Sequence, residues 1–499
     1  MKKYDSIVIG SGASGLTMAL LLGLNRHKVL LLERGPQPGG SLARFTRDGV
    51  PFDTGFHFTG GLNPGGLLDR MCGVLGVRDL IQPVFMATDH AHEFRIESAG
   101  QTFALPAGTA ALRTRLADYF PGERQAIDRY FARVDAVCAN TATLDLTQIG
   151  QHGRATEEEY VSLRQVLDGL TGNPLLKALL SGFAMCHGTK PADVSFANHS
   201  RVCVGLYEST ARIEGGGEAL IAAFRRRLAA CDVELRTNTW IDACLDVADD
   251  RVGRVRLNTG EEVAFDNGVL TIHPWDILRL LPAEHLSKAF ASRVRGFESA
   301  AGFFTVFATL SAPQVPHGYG SSIVSLFPGD DFDAMLDPAF PPPRPLVIVK
   351  SLERTRQGTT QPVLTAFEPS FPEHVAAWSD SRTGHRPSGY EAYKAETTAR
   401  IRDRLLAHEP ELGATLKIVA AASLLTYRDY LHSPDGSAYG IKQKVGQFNL
   451  FGKLPLRNLY AAGQSALLPG LVGAMMSSFI VCRSVIGKEP FTQFMQQRL

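Results

Sequence analysis

The chain has 499 residues, 44% hydrophobic and 20% charged, with a formal net charge of +1. That length points to two or three packed units rather than one simple core. The balanced charge and the absence of a basic run exclude nucleic acid as the main partner. Seven cysteines, scattered and without C-x-x-C spacing, read as buried thiols in a reducing compartment, so a cytoplasmic location is expected. No His, Cys and carboxylate cluster has metal-ligand spacing, and no metal site is expected.

In chain order, Ser6 to Ile9 is a short apolar run suited to a buried strand. Gly10, Gly12 and Gly15 follow as G-x-G-x-x-G, then an apolar helix over Leu16 to Leu24, a second buried strand over Val29 to Leu32, and Glu33. Gly10 permits the tight turn, Gly12 lets the backbone approach a pyrophosphate, and Gly15 lets the helix pack close to the strand. The helix N-terminus offers free N–H groups to phosphates. Glu33 suits an unphosphorylated adenosine ribose, favouring FAD or NAD over NADP. Glycines and serines break the uncharged run, and Asp5 precedes it, which argues against a signal peptide or membrane span.

Pro38-Gly39-Gly40-Ser41 is a turn-rich loop that allows a second close backbone approach. Residues 62–200 read as mainly helical, with helical spacing over Ala110 to Phe120, Arg124 to Cys138 and Leu175 to Cys186. Val233 to Ile241 reads as a strand. Val252 to Leu257 and Glu262 to Phe265 flank a hairpin turn, and Gly268 to Ile272 reads as a further strand. Phe303 to Phe307, Leu346 to Val349 and Val363 to Phe367 suggest a separate sheet. The long uncharged run from Asn458 to Cys482 divides at Gly463 and Pro469-Gly470 into a strand, a loop and a buried helix.

This ordered set resembles the FAD-dependent phytoene desaturase-like oxidoreductases, with carotenoid isomerases and retinol saturases nearest. The resemblance rests on Val8 to Gly15 with Glu33, Pro38-Gly39-Gly40, Phe52-Asp53-Thr54-Gly55-Phe56-His57, Gly215 to Leu220, Tyr439-Gly440, Asn458 to Ser465 and Pro469 to Met475. It implies an α/β fold: a discontinuous Rossmann-like FAD-binding domain (1–80, 201–275 and 435–499) with a second, α+β substrate domain (81–200 and 276–434). Adenosine and pyrophosphate would lie over Gly10, Gly12, Ala13, Ser14, Gly15, Glu33 and Arg34. Gly40 and Ser41 would approach the pyrophosphate or ribitol, the Ile241 backbone the adenine, and Gly463 and Gln464 the ribityl chain. The helix beginning near Val472, Gly473 and Ala474 would point its N-terminus at the flavin pyrimidine edge. Three positions depart from the related pattern: Gln464 replaces an acidic residue, Leu471 a second glycine, and Ser477-Ser478 a Ser-Gly pair.

The implied activity is hydride transfer at flavin N5 to or from a carbon–carbon bond of a hydrophobic polyene or isoprenoid, by saturation, desaturation or isomerisation. An external electron donor or acceptor is then required, since no second nucleotide motif accompanies the first. His57 is the candidate for proton handling, with Tyr427 and Tyr430 behind it. A flavin amine oxidase and a non-catalytic prenyl-lipid escort of the same fold are the alternatives. Peripheral contact with a membrane surface is a further expectation.

Overall fold

The computed structural model describes residues 2–149, 156–311 and 318–499. Its first sheet has eight strands. β1 (Lys2–Ile9) leads through α1 (Ala13–Leu24) to β2 (Val29–Leu32), and Glu234–Arg236 extends the sheet beyond β2 in parallel. All four residues of β2 are buried, because a parallel sheet carries helices or loops on both faces and leaves no polar side. On the other side of β1 lies Glu262–Leu270, paired in parallel with β1 and with Leu459–Ala461. The sheet thus joins segments from the start, middle and end of the chain.

The two sequence-derived strands Glu262 to Phe265 and Gly268 to Ile272 form one continuous strand, Glu262–Leu270, whose edge away from β1 is shared by two partners. Its first half pairs antiparallel with Arg251–Leu257, and its second half pairs with Leu459–Ala461. Val233 to Ile241, by contrast, is not a single strand. Glu234–Arg236 ends at Thr237, Asn238 takes a left-handed conformation with φ 51°, and Ile241–Ala248 begins a new strand. The break lets the Asn238 and Thr239 N–H groups donate to the Gly35 and Glu33 carbonyls, so this segment wraps the end of β2.

α1 packs on α2 (Gly470–Ile486). The contact depends on small residues. Ser14 and Ser478 hydroxyls lie 2.7 Å apart, and Ser478 Oγ donates to the Ser14 carbonyl at 2.8 Å. Ser477 Oγ accepts from the Gly463 N–H at 2.7 Å, holding the loop before α2. The Ser477-Ser478 pair therefore ties both ends of the chain together.

The second sheet has seven strands, in the order Leu416–Ala422, Gly302–Leu310, Thr360–Ser370, Leu346–Arg354, Ile323–Phe327, His92–Ile96 and Gln101–Leu105. The last two correct the helical reading of residues 62–200. His92-Glu93-Phe94-Arg95-Ile96 alternates buried and half-buried residues, the period of a strand with one face inward. The helices Thr109–Tyr119, Arg124–Ala139, Pro174–Ser181 and Phe196–Glu208 cover this end of the sheet. The Pro174–Ser181 helix stops before Cys186 and tightens into a 3₁₀ turn over Gly182–Cys186. Gly182 lies against the Phe94 ring, and a Cβ there would come within 2.4 Å of it.

A buried ionic group ties Leu346–Arg354 of the second sheet to two smaller sheets, one formed by Arg44–Arg47 and Val50–Asp53 and the other containing Thr210–Ile213. Arg44 Nε lies 2.9 Å from Asp53 Oδ1, Arg44 Nη2 2.6 Å from Glu353 Oε2, and Arg212 Nη2 3.0 Å from Glu353 Oε1. Such pairs are weak evidence for stability, because desolvation offsets their attraction, but removing one partner strands a buried charge. All seven cysteines are free. Among the described residues, no helix is long and apolar enough to cross a membrane, and no group of three or more His, Cys, Asp or Glu is arranged to hold a metal.

Candidate active site

Two cavities meet at the start of α2. The larger, about 720 Å³, runs over the carboxyl ends of β1 and β2, where open α/β sheets bind ligands. Gly10, Gly12, Ala13, Ser14, Glu33, Arg34, Gly40, Ser41, Ile241, Gly463, Gln464 and Ala474 line it. Gly15 sits behind the wall, where a Cβ would lie 1.8 Å from the Gly10 carbonyl oxygen. A Cβ on Gly12 would meet no protein atom within 4 Å; the backbone there is bare toward the cavity. No side chain caps the N-terminus of α1 or of α2, so their first N–H groups are free for anionic or polar ligand atoms.

The Glu33 carboxylate is held from three sides: Oε2 accepts from the Ser11 N–H at 3.1 Å and the Ser11 hydroxyl at 2.5 Å, and Oε1 accepts from the Gly35 N–H at 2.6 Å. Beyond it, the Arg34 guanidinium stands 5.7 Å from the Trp240 ring centre, over a residue that is 39% exposed. His273 Nδ1 accepts from the Trp275 N–H at 3.3 Å, which places its proton on Nε2. That Nε2 and Ser437 Oγ are buried at the cavity wall without a hydrogen-bond partner among the described residues. Bare glycine backbone, two uncapped helices and unpartnered polar atoms fit a phosphate-bearing dinucleotide ligand.

The smaller cavity, about 320 Å³, has a mainly apolar wall that includes Phe58, Leu67, Cys138, Leu144, Cys186, Val202, Leu206, Leu468, Val472 and Met476. Val472 and Gly473 face this cavity and not the larger one. Gly470 and Leu471 line both. The first turn of α2 is thus a partition with a polar chamber on one side and an oily one on the other.

His57 itself lines neither cavity, although its chain neighbours do: Phe56 lines the larger and Phe58 the smaller. Its ring stacks on Phe367 with centroids 5.0 Å apart. Burial, followed by the nearby Arg212 and Arg44 cations, lowers its pKa to about 4. His57 makes no hydrogen bond to any described residue. It is an uncharged imidazole with open nitrogens, suited to accept a proton rather than supply one at neutral pH. Tyr427 and Tyr430 line neither cavity. The Tyr427 hydroxyl donates to Thr305 Oγ1 at 2.6 Å, and Tyr430 is 64% exposed.

Trp240, His273 and Ser437 were not singled out in the sequence, nor were Leu144, Cys186 and Arg201 of the oily wall. Each belongs to no local motif, and they come together only when distant segments pack. Tyr439, whose motif is visible in the sequence, lines the larger cavity and donates its hydroxyl to the Met185 carbonyl at 3.2 Å.

The family model for an NAD(P)-binding Rossmann-like domain matches residues 8–73. All-trans-retinol 13,14-reductase of Danio rerio is 25% identical over 536 residues, covering 97% of this chain and 86% of that protein. Prolycopene isomerase 2, chloroplastic, of an Oncidium hybrid cultivar is 30% identical over 158 residues, covering 30% of this chain and 25% of the relative. Among solved structures, an oxidoreductase from Methanosarcina mazei superposes with a TM-score of 0.64 at 15% identity, covering 96% of this chain and 99% of that one. Fold, site and relatives define a flavin-dependent oxidoreductase, an enzyme rather than a lipid escort. Within that class, the chain is similar over nearly its whole length to the retinol 13,14-reductases and over 30% of it to the prolycopene isomerases.

Proposed function

We propose that the chain is an FAD-dependent oxidoreductase acting on carbon–carbon double bonds of a hydrophobic polyene or isoprenoid. Saturation is the leading direction, because the 13,14-reductases match along nearly the whole chain. The observation that carries this reading is the partition at Gly470 and Leu471, which sets an apolar chamber directly against a dinucleotide-sized one. FAD bound in the larger cavity would supply hydride transfer at flavin N5. The first sheet and its loops would hold the cofactor, while the Phe196–Glu208 helix, the loops at 58–67 and 138–144 and the start of α2 would shape the substrate chamber.

The chain's own residues bind, orient and exclude water. Gly10, Gly12, Ala13 and Ser14 would present backbone to the pyrophosphate, with Gly15 allowing that turn to exist. Lone pairs of Glu33 not used by Ser11 and Gly35 would accept ribose hydroxyls. Arg34 and Ile241 would flank the adenine end, while Gly40, Ser41, Gly463 and Gln464 would meet the middle of the cofactor. Gln464 Nε2 already donates to the Ala438 carbonyl at 3.2 Å, which leaves its amide oxygen for a ligand hydroxyl. The free N–H groups in the first turn of α2, at Gly470, Leu471 and Val472, would favour negative charge at the partition, with Gly473 and Ala474 following in the same helix. His57 would hold a proton at a ring nitrogen. Electrons come from or go to an external partner, and peripheral membrane contact would let an insoluble substrate reach the oily chamber.

The test is anaerobic reduction of the FAD-loaded protein, followed by mixing with polyenes, enoates and quinones. Polyene-dependent flavin re-oxidation, with loss of one double bond from the product, is expected. Failure of every polyene and isoprenoid to re-oxidise the flavin or be converted would sink the reading.

A further inference from the structure

We propose that the apolar chamber selects uncharged lipids over their carboxylates, and that Glu159 sets this selectivity through Arg201. The inference rests on the reading that this chamber receives the substrate. Arg201 and Glu208 are the charged side chains among the described residues lining it. A lone guanidinium in an oily wall would anchor an anionic head group, because its planar fork matches a carboxylate and water is scarce.

Here that fork is already filled from within. Nη1 donates to Glu159 Oε2 at 3.1 Å, and Nη2 donates to Glu159 Oε1. Nη1 also donates to Asn198 Oδ1 at 3.1 Å, and Nε to Thr141 Oγ1 at 3.0 Å. Arg201 rides on the Phe196–Glu208 helix and Glu159 ends the 3₁₀ turn Glu157–Glu159, so the pair joins two separate elements. Their side chains are 17% and 26% exposed.

A ligand carboxylate would have to displace one tethered beside the guanidinium, whose effective concentration is high. It would also meet the negative charge of Glu159 and of Glu208. The Glu208 carboxylate is bonded to the Thr109 hydroxyl, which leaves its charge in place. A hydroxyl, an ester or a hydrocarbon end faces neither obstacle. The ligand class that fits is therefore a neutral isoprenoid: an alcohol, an ester or a hydrocarbon.

The test measures equilibrium binding of a C20 polyene alcohol, its carboxylate and the carboxylate's methyl ester to the FAD-loaded protein. The wild type is expected to favour alcohol and ester over carboxylate by about tenfold or more. Glu159→Gln should raise carboxylate affinity by about tenfold and leave the alcohol within about threefold, and adding Arg201→Gln should abolish the gain. Equal wild-type affinity for alcohol and carboxylate would overturn the proposal, as would a well-folded Glu159→Gln with no gain. The ester needs no variant: an ester as weak as the carboxylate would assign the discrimination to shape and reject a role for charge. No binding of alcohol or ester to the wild type would instead defeat the assignment of the chamber to substrate.

Discussion

The two chambers that meet at α2 are built from different materials. The larger is walled by backbone: glycine turns, strand ends and two helix N-termini, with Glu33 pinned by Ser11 and Gly35. The smaller is walled by side chains of helices and loops that touch only in the folded chain. A backbone-walled site has no room for added atoms where its turn is packed, as at Gly15. A side-chain-walled site tolerates repacking and sets its selectivity through a few positions. The same contrast explains how a common cofactor frame can serve different substrates.

Substitutions should separate the two chambers. The largest effect is expected at Gly15→Ala, whose new Cβ would fall 1.8 Å from the Gly10 carbonyl oxygen. The turn and α1 must then move apart, so a loss of about 4 kcal/mol or more is expected. Flavin absorbance of the purified protein, together with thermal melting, would show it; a normally coloured and stable variant would contradict the close-packed turn. Val472→Trp should act on the other side of the partition, filling the oily chamber while leaving the cofactor bound. Polyene affinity should fall by about tenfold or more, the equivalent of about 1.4 kcal/mol, with FAD content unchanged. Loss of both together would mean that the chambers are not independent.

Acid should loosen the substrate side first. His57, His92 and His199 all have pKa values lowered to about 4 from the ordinary 6.5, chiefly by burial. Each binds a proton more readily after unfolding, so its contribution is full above pH 6.5 and is lost as pH falls toward 4, by about 3 kcal/mol apiece. Asp53 runs the other way. Burial raises its pKa to about 6 from 3.8, so its contribution is full below 3.8 and fades as pH rises through 6. The three histidines outweigh it, and the melting temperature should drop between pH 7 and 5, with hydrogen exchange rising first around His92–Ile96 and Phe196–Glu208. A flat profile would refute the burial argument. The smallest effect belongs to Trp240→Ala at the exposed rim of the larger chamber. Loss of its contact with Arg34 should weaken FAD binding by about 0.5–1 kcal/mol, a few-fold in Kd, by titration of the apoprotein.

Much of the cofactor chamber was legible because its residues act through backbone and lie in short motifs. Gly10 to Gly15, Glu33, Gly40 and Gly463 announce themselves locally, since only glycine permits those turns and approaches. The substrate chamber was not legible in this way. Cys138, Leu144, Cys186 and Val202 are ordinary core-type residues, and nothing in periodicity distinguishes a residue lining a void from one filling it. The strand His92–Ile96 did carry a readable alternation, overlooked among its helical neighbours. The split between Arg236 and Ile241 was not readable, because it depends on where the end of β2 stands.

Sequence alone determined the glycine turn after β1, the acidic residue ending β2, the buried character of both strands and the small residues where α1 meets α2. Those features follow from φ/ψ limits and side-chain volume within a few residues. Only the tertiary structure decided that Gly470 and Leu471 divide two chambers, that His57 is held uncharged beside Arg44 and Arg212, and that Glu159 occupies the guanidinium of Arg201. Each of those outcomes depends on distances between segments far apart in the chain, and electrostatics and cavities take their character from such distances.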